Sequence, residues 1–168
     1  MGAEDSAWKQ LRVALASDHA GYELKQALAQ YLQREGLEVV DCGAYSSEST
    51  DYPDWAYKAC KLVITGESDR AILICGTGIG MNLAANSLPG ITAAHCNEEY
   101  SARCSRSHNN ANVLTMGARV VGTGLAASVA QAWLATEYVP CERHKRRLAK
   151  IGELAGRLAK ETGSSEGE

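Results

Sequence analysis

Cys75 stands where chemistry is possible: the apolar run Ala71-Ile72-Leu73-Ile74 precedes it and Gly76-Thr77-Gly78-Ile79-Gly80 follows. Such a run, then alternating glycines, then Met81-Asn82-Leu83-Ala84-Ala85-Asn86, predicts a buried strand, a tight loop and a helix. Glycines let backbone N–H groups approach a ligand, and the amides that open a helix favour a thiolate or an oxyanion. Spacing excludes three phosphate loops. A Walker A loop needs Gly-Lys-Ser/Thr, the dinucleotide fingerprint needs glycine where Met81 stands, and a cysteine phosphatase needs arginine there. What remains is a thiol beside the Thr77 hydroxyl and a cradle of amides at Gly76, Gly78 and Gly80. That set suits proton transfer next to an enediolate oxygen. Further along, Arg143 and Arg147 are four apart and share a helix face, a spacing that suits a phosphate. Their positive charge opens a helix and opposes its dipole unless an anion lies near.

These residues need elements to hold them. Strands are predicted at residues 11–16, 37–40, around Cys75, 91–96 and 113–116. Helices are predicted over Tyr22–Arg34, from Asp54, and over 98–107, 122–134 and 142–160. In the helix over 122–134, Leu125, Val129, Ala132 and Trp133 form the expected buried side, and the last helix carries an apolar line through Leu148, Ile151, Leu154 or Ala155, and Leu158. Alternating strands and helices predict a doubly wound α/β domain, a Rossmann-like or flavodoxin-like three-layer sandwich. It has a central, mostly parallel five-stranded sheet and a C-terminal helix. Ligands bind beyond the carboxyl ends of such strands, so Asp18-His19, Asp51-Tyr52, the Cys75 loop and His108-Asn109 are expected to converge on one cleft.

A chain of 168 residues is most simply one domain, here residues 11–160, after an exposed extension over 1–10 and before a disordered polar tail over 161–168. Hydrophobic residues at 45% and charged residues at 22% describe a globular protein, and a net charge of −3 gives no reason to expect nucleic-acid binding. No membrane span or signal peptide is read, which points to the cytoplasm. Cys42, Cys60, Cys75, Cys96, Cys104 and Cys141 form no CxxC pair, so neither a disulfide scaffold nor a zinc ribbon is expected, and most read as buried thiols. The spacing of His95, Cys96, Cys104 and His108 fits no usual zinc cluster. Each motif also has a plain structural reading. Cys75 also reads as a core thiol, Asp18 as a helix cap, His95 as a satisfied core or sheet residue, His108 as a helix end and the arginines as a solvated face.

Taken together the motifs are more specific. Ser17-Asp18-His19-Ala20-Gly21, Ser49-Thr50-Asp51-Tyr52-Pro53, the stretch from Ile74 through Gly80, Ser105-Arg106-Ser107-His108-Asn109, Asn112-Val113-Leu114, Gly117-Ala118-Arg119-Val120-Val121-Gly122 and Arg143-His144-Lys145-Arg146-Arg147 occur in one order. In this the chain resembles the ribose-5-phosphate isomerase B family, which also holds the galactose-6-phosphate isomerase subunits. The resemblance implies a metal- and cofactor-independent aldose–ketose isomerase of the pentose phosphate pathway, interconverting D-ribose 5-phosphate and D-ribulose 5-phosphate through a cis-enediol. It makes Cys75 the base, Thr77 and the glycine amides the holders of the enediolate, and His108 the ring-opening residue. His19, Arg119, Arg143 and Arg147 become phosphate contacts, and Asp18, Asp51, Tyr52 and Asn109 line the sugar. It also implies a homodimer or tetramer with sites at the subunit interface. Two other readings stand beside it: a hexose-6-phosphate isomerase, and a module that binds a phosphorylated ligand without chemistry.

Overall fold

The computed structural model describes residues 3–163; most of the expected polar tail, residues 164–168, lies outside the described residues. Five strands, β1 (Arg12–Ser17), β2 (Glu38–Asp41), β3 (Arg70–Cys75), β4 (Ala93–His95) and β5 (Val113–Gly117), form one sheet in the order β2-β1-β3-β5-β4. Every pairing in it is parallel. Six α-helices accompany them: α1 (Tyr22–Arg34), α2 (Tyr52–Thr65), α3 (Ile79–Asn86), α4 (Glu99–Ser107), α5 (Thr123–Ala135) and α6 (Glu142–Gly163).

The period-2 geometry of a strand sorts the core into two layers. Val13, Leu15, Ile72, Ile74, Leu114 and Met116 face the side that holds Leu28 and Leu32 of α1 and Val129 and Trp133 of α5. Ala14, Ala16, Ala71, Leu73 and Cys75 face Ala56, Ala59 and Cys60 of α2 and Met81 and Ala85 of α3. Alanines dominate the second layer, so α2 and α3 come close to the sheet. From β1 the chain steps outward to β2, then returns past β1 to β3. That reversal makes the carboxyl ends of β1 and β3 the switch point where such sheets bind ligands. Asp18 and Cys75 flank it.

Two expectations change. The expected exposed extension folds where it is described: Ala3–Gln10 forms a 3-10 helix, and Trp8 is buried in the core. Lys9 ties this helix to Glu35 at the end of α1, at 3.2 Å. Leu125 is exposed, because α5 is apolar nearly all round and its periodicity does not mark the buried side. The apolar line expected on α6 is present and, in one chain, Ile151, Leu154 and Leu158 are 60%, 57% and 61% exposed; the side chain of Ala155 lies outside those described. No helix among the described residues is long and apolar enough to cross a membrane.

One buried charge secures the loop beside the switch point. Lys25 on α1 is fully buried and pairs with Asp41 at the end of β2, while the rings of Tyr22 and Tyr45 lie 5.8 and 5.5 Å from its ammonium. Asp41 Oδ1 also accepts the Gly43 N–H at 2.9 Å, and Gly43 and Ala44 extend the pairing to Ser17 at 2.6 and 2.7 Å. Removing only the anion strands a buried cation, whereas removing the cation leaves a carboxylate that water can reach. Asp41→Ala is therefore expected to cost about 2–4 kcal/mol and Lys25→Met about 1 kcal/mol or less. Urea unfolding of the two variants measures the order.

Candidate active site

The central strand delivers the thiol. β3 lies between β1 and β5, with Ile74 level with Ser17 and Cys75 level with Gly117, so the thiol emerges at the carboxyl edge of the sheet. The chain then turns through Gly78, whose φ of +81° is a left-handed conformation that favours glycine. This turn aims the Gly78 N–H at Cys75 Sγ, 3.1 Å away, and the Ile79 N–H at the Thr77 hydroxyl oxygen, 3.3 Å away. Cys75 is 5% exposed and Thr77 is exposed. The sulfur thus accepts an amide at the start of α3, where backbone N–H groups gather. The Gly78 amide is spent on the sulfur and the Ile79 amide on Thr77, which leaves the Gly80 and Met81 amides of the first turn of α3 as donors for an oxyanion. The first bond of the helical pattern is Asn82 N–H to Gly78 O, at 3.0 Å.

Several expected residues gather at this edge. The ring of Tyr52 packs on Gly80 so closely that a β-carbon there would lie 2.8 Å from it. Arg119 lies across Gly76, 3.6 Å from the position of a β-carbon, and its N–H bonds the Gly76 carbonyl at 3.0 Å. Asp18 is buried, takes the Gly21 N–H at 3.0 Å and so caps the turn that opens α1. His19 Nδ1 accepts the Thr50 N–H at 3.4 Å, which leaves Nε2–H to donate. Asp51 is exposed at the start of α2 and its carboxylate does not cap that helix.

The remaining residues form a second cluster. His108, Asn109, Arg143, Arg147 and Leu148 line a 320 Å³ pocket together with His144. Arg106 braces the neighbouring turn: the buried guanidinium lies over Trp133, bonds Asn110 at 3.0 Å and the Ala111 carbonyl, and reaches the Thr136 carbonyl at 3.4 Å. The Val139 N–H then bonds Ser107 O at 3.2 Å, fixing where α6 begins. His144 was not singled out by the sequence reading. It is 8% exposed, its ring is 4.5 Å from that of His108, Nε2 lies 3.4 Å from the Arg143 guanidinium, and Nδ1 is buried without a partner. Its position between two arginines four apart was the available signal.

The two clusters do not meet within one chain. Cys75 is level with Gly117 at the far end of β5, whereas His108 and Asn109 lead into Val113 at its start. Four strand residues separate those levels by roughly 13 Å. The expected single cleft is therefore corrected, and Arg119 belongs to the thiol end, apart from Arg143 and Arg147. His95 is the sheet residue expected, ending β4 level with Thr115, although its side chain is exposed at the carboxyl edge instead of in the core. Burial pushes the Cys60 thiol up to about 12 and Cys96 to about 11, and it raises Cys42, so these three stay protonated at neutral pH. Cys104 is half-buried and Cys141 exposed, against the expectation of core thiols.

Comparison with known proteins adds an independent line. A family profile described as Ribose/Galactose Isomerase matches residues 13–151. The Ribose-5-phosphate isomerase B of Escherichia coli (strain K12) is 45% identical over 146 residues, covering 87% of this chain and 97% of that protein. The D-erythrulose-4-phosphate isomerase of Pectobacterium atrosepticum is 44% identical over 132 residues, covering 76% of this chain and 85% of its own length. Among solved structures, the Clostridium thermocellum Ribose-5-Phosphate Isomerase B superposes with a TM-score of 0.84 at 47% identity, covering 88% of this chain and 99% of that one. Since the matched span holds the whole sheet, both clusters and the start of α6, the chain belongs to the ribose/galactose isomerase family.

Proposed function

We propose that this protein interconverts D-ribose 5-phosphate and D-ribulose 5-phosphate, with Cys75 as the base. The observation that carries the reading is the Cys75 sulfur, bonded by the Gly78 amide at the start of α3 on the carboxyl edge of the sheet. In the open-chain aldose the thiolate takes the proton from C2, and electron density moves onto O1 to give a cis-enediolate. Returning the proton to C1 and shifting the hydroxyl proton from O2 to O1 gives the ketose, so no atom is gained or lost. Because its oxygen already accepts the Ile79 N–H, Thr77 keeps its hydroxyl hydrogen for a sugar oxygen. The first-turn amides of α3 stabilise the negative oxygen. Base catalysis of this kind is worth about 10²–10⁴ in rate.

The working site is composite and the protein works as a homodimer. Cys75 lies at one edge of the sheet and the basic pocket of His108, Arg143 and Arg147 at the other, so a second copy supplies the pocket that one chain holds away from its own thiol. His108 there opens the furanose ring, and the two guanidinium groups take the phosphate, with His19 on the thiol side. The uncovered apolar line of α6 supports such a partner. Subunit exchange tests this. Cys75→Ala and His108→Ala are each expected to lose activity on ribose 5-phosphate. Mixed and allowed to exchange, they should regain about a quarter of the wild-type rate, because half the dimers are mixed and each has one intact site. Absence of recovery despite exchange contradicts a composite site.

A second substrate reading has a specific basis. The family name spans ribose and galactose, and one relative is named for a four-carbon sugar phosphate. The distance between thiol and basic pocket selects the chain length, and the five-carbon substrate is expected to give the highest kcat/KM among four-, five- and six-carbon aldose phosphates. A six-carbon substrate turned over faster would move the assignment to a hexose-6-phosphate isomerase.

A further inference from the structure

His95 ends β4 level with Thr115, and its ring stands directly behind the glycine that holds the thiol. A β-carbon on Gly78 would lie 2.5 Å from Cε1 and 2.6 Å from Nδ1 of His95, so the imidazole rests on the Gly78 α-carbon. The same residue donates its N–H to Cys75 Sγ. Gly78 therefore packs against the imidazole and the Met116 backbone while its N–H holds the thiol.

The ring itself is fixed at both nitrogens. Nδ1 is 3.3 Å from Thr115 Oγ and Nε2 is 3.1 Å from Asn97 Nδ2. The direction of these bonds follows from donor chemistry. The Gly117 N–H can only donate, and it meets Asn97 Oδ1 at 3.5 Å, which turns the Asn97 NH₂ toward the imidazole. Nε2 therefore accepts, and the proton of neutral His95 sits on Nδ1, donating to Thr115. Gly117 is also the residue level with Cys75 in the sheet. The chain of contacts begins at the thiol and returns to the strand position beside Cys75.

We propose that His95 is a positioning residue for Cys75: its imidazole props Gly78 so that the amide stays on the sulfur. The proposal rests on the reading of Cys75 as the reacting thiol. Without the prop the left-handed turn relaxes away from the sulfur and the thiolate loses a donor. The phosphate pocket, at the other edge of the sheet, is untouched. Loss of His95 thus acts on the chemical step and leaves substrate binding alone.

His95→Ala and His95→Phe separate the possibilities, and since His95 is exposed neither empties the core. His95→Ala is expected to lower kcat on ribose 5-phosphate about tenfold with KM within about twofold, and to move the pH midpoint of iodoacetamide alkylation, read on the Cys75 peptide by mass spectrometry, upward by about one unit. His95→Phe fills the space behind Gly78 and should recover most of both. Wild-type kcat and alkylation in His95→Ala overturn the proposal. So does a His95→Phe as impaired as His95→Ala, which would assign the effect to a ring nitrogen. Alkylation needs no turnover: a wild-type protein that fails to convert ribose 5-phosphate overturns the isomerase reading, while the variant profiles still decide the prop.

Discussion

The contact between the Gly78 amide and the Cys75 sulfur draws on every layer of the molecule. It needs β3 in the centre of the sheet to bring the thiol to the edge, and a left-handed turn that L side chains rarely adopt. It also needs α3 to begin at once, so that the amides of its first turn point into the same space. The alanine layer beneath α2 and α3 sets how close those helices lie. Among the described residues Cys60 and Cys96 accept no such amide, and burial raises their thiols to about 12 and about 11 and keeps them neutral. Position separates Cys75 from those two.

Sheet polarity imposes the second constraint. In an all-parallel sheet whatever follows a strand lies at one edge and whatever precedes a strand lies at the other. Cys75 follows β3 and His108 precedes β5, so folding alone carries them apart. Each half is built firmly where it stands. Arg106 anchors the His108 turn from below, and the β1–β3 switch point holds Asp18, His19 and Tyr52 around the thiol loop. On the proposed reading both halves are incomplete for a sugar phosphate: one has the thiol without the paired arginines, the other the arginines without the thiol.

Local signals made the thiol loop legible in the sequence. An apolar run, a cysteine and alternating glycines predicted β3, the loop and α3, and the structure follows that order. Alternation of strands and helices was enough for the fold class. What escaped depends on partners distant in the chain. Trp8 is a single aromatic residue in a polar decamer and carries no periodicity, yet it joins the core. β4 has only three residues, too few to show that His95 ends at the edge and leans on Gly78. His144, set among charged neighbours, read as part of a solvated face until α6 was seen to fold it against His108. The site of His108 was implicit in the order of elements, since it leads into a strand of a parallel sheet.

Proton movement by Cys75 is tested most directly by isomerisation in D₂O, with the sugar examined by mass spectrometry and proton NMR. An enediolate formed by a thiol exchanges its proton with solvent, so the wild-type protein is expected to introduce deuterium at C1 of ribulose 5-phosphate and, through the reverse reaction, at C2 of ribose 5-phosphate. Cys75→Ala should lose that incorporation by a factor of about 10² or more. Conversion by the wild type without deuterium at either carbon, or undiminished incorporation by Cys75→Ala, would contradict the assignment of the thiol as the base.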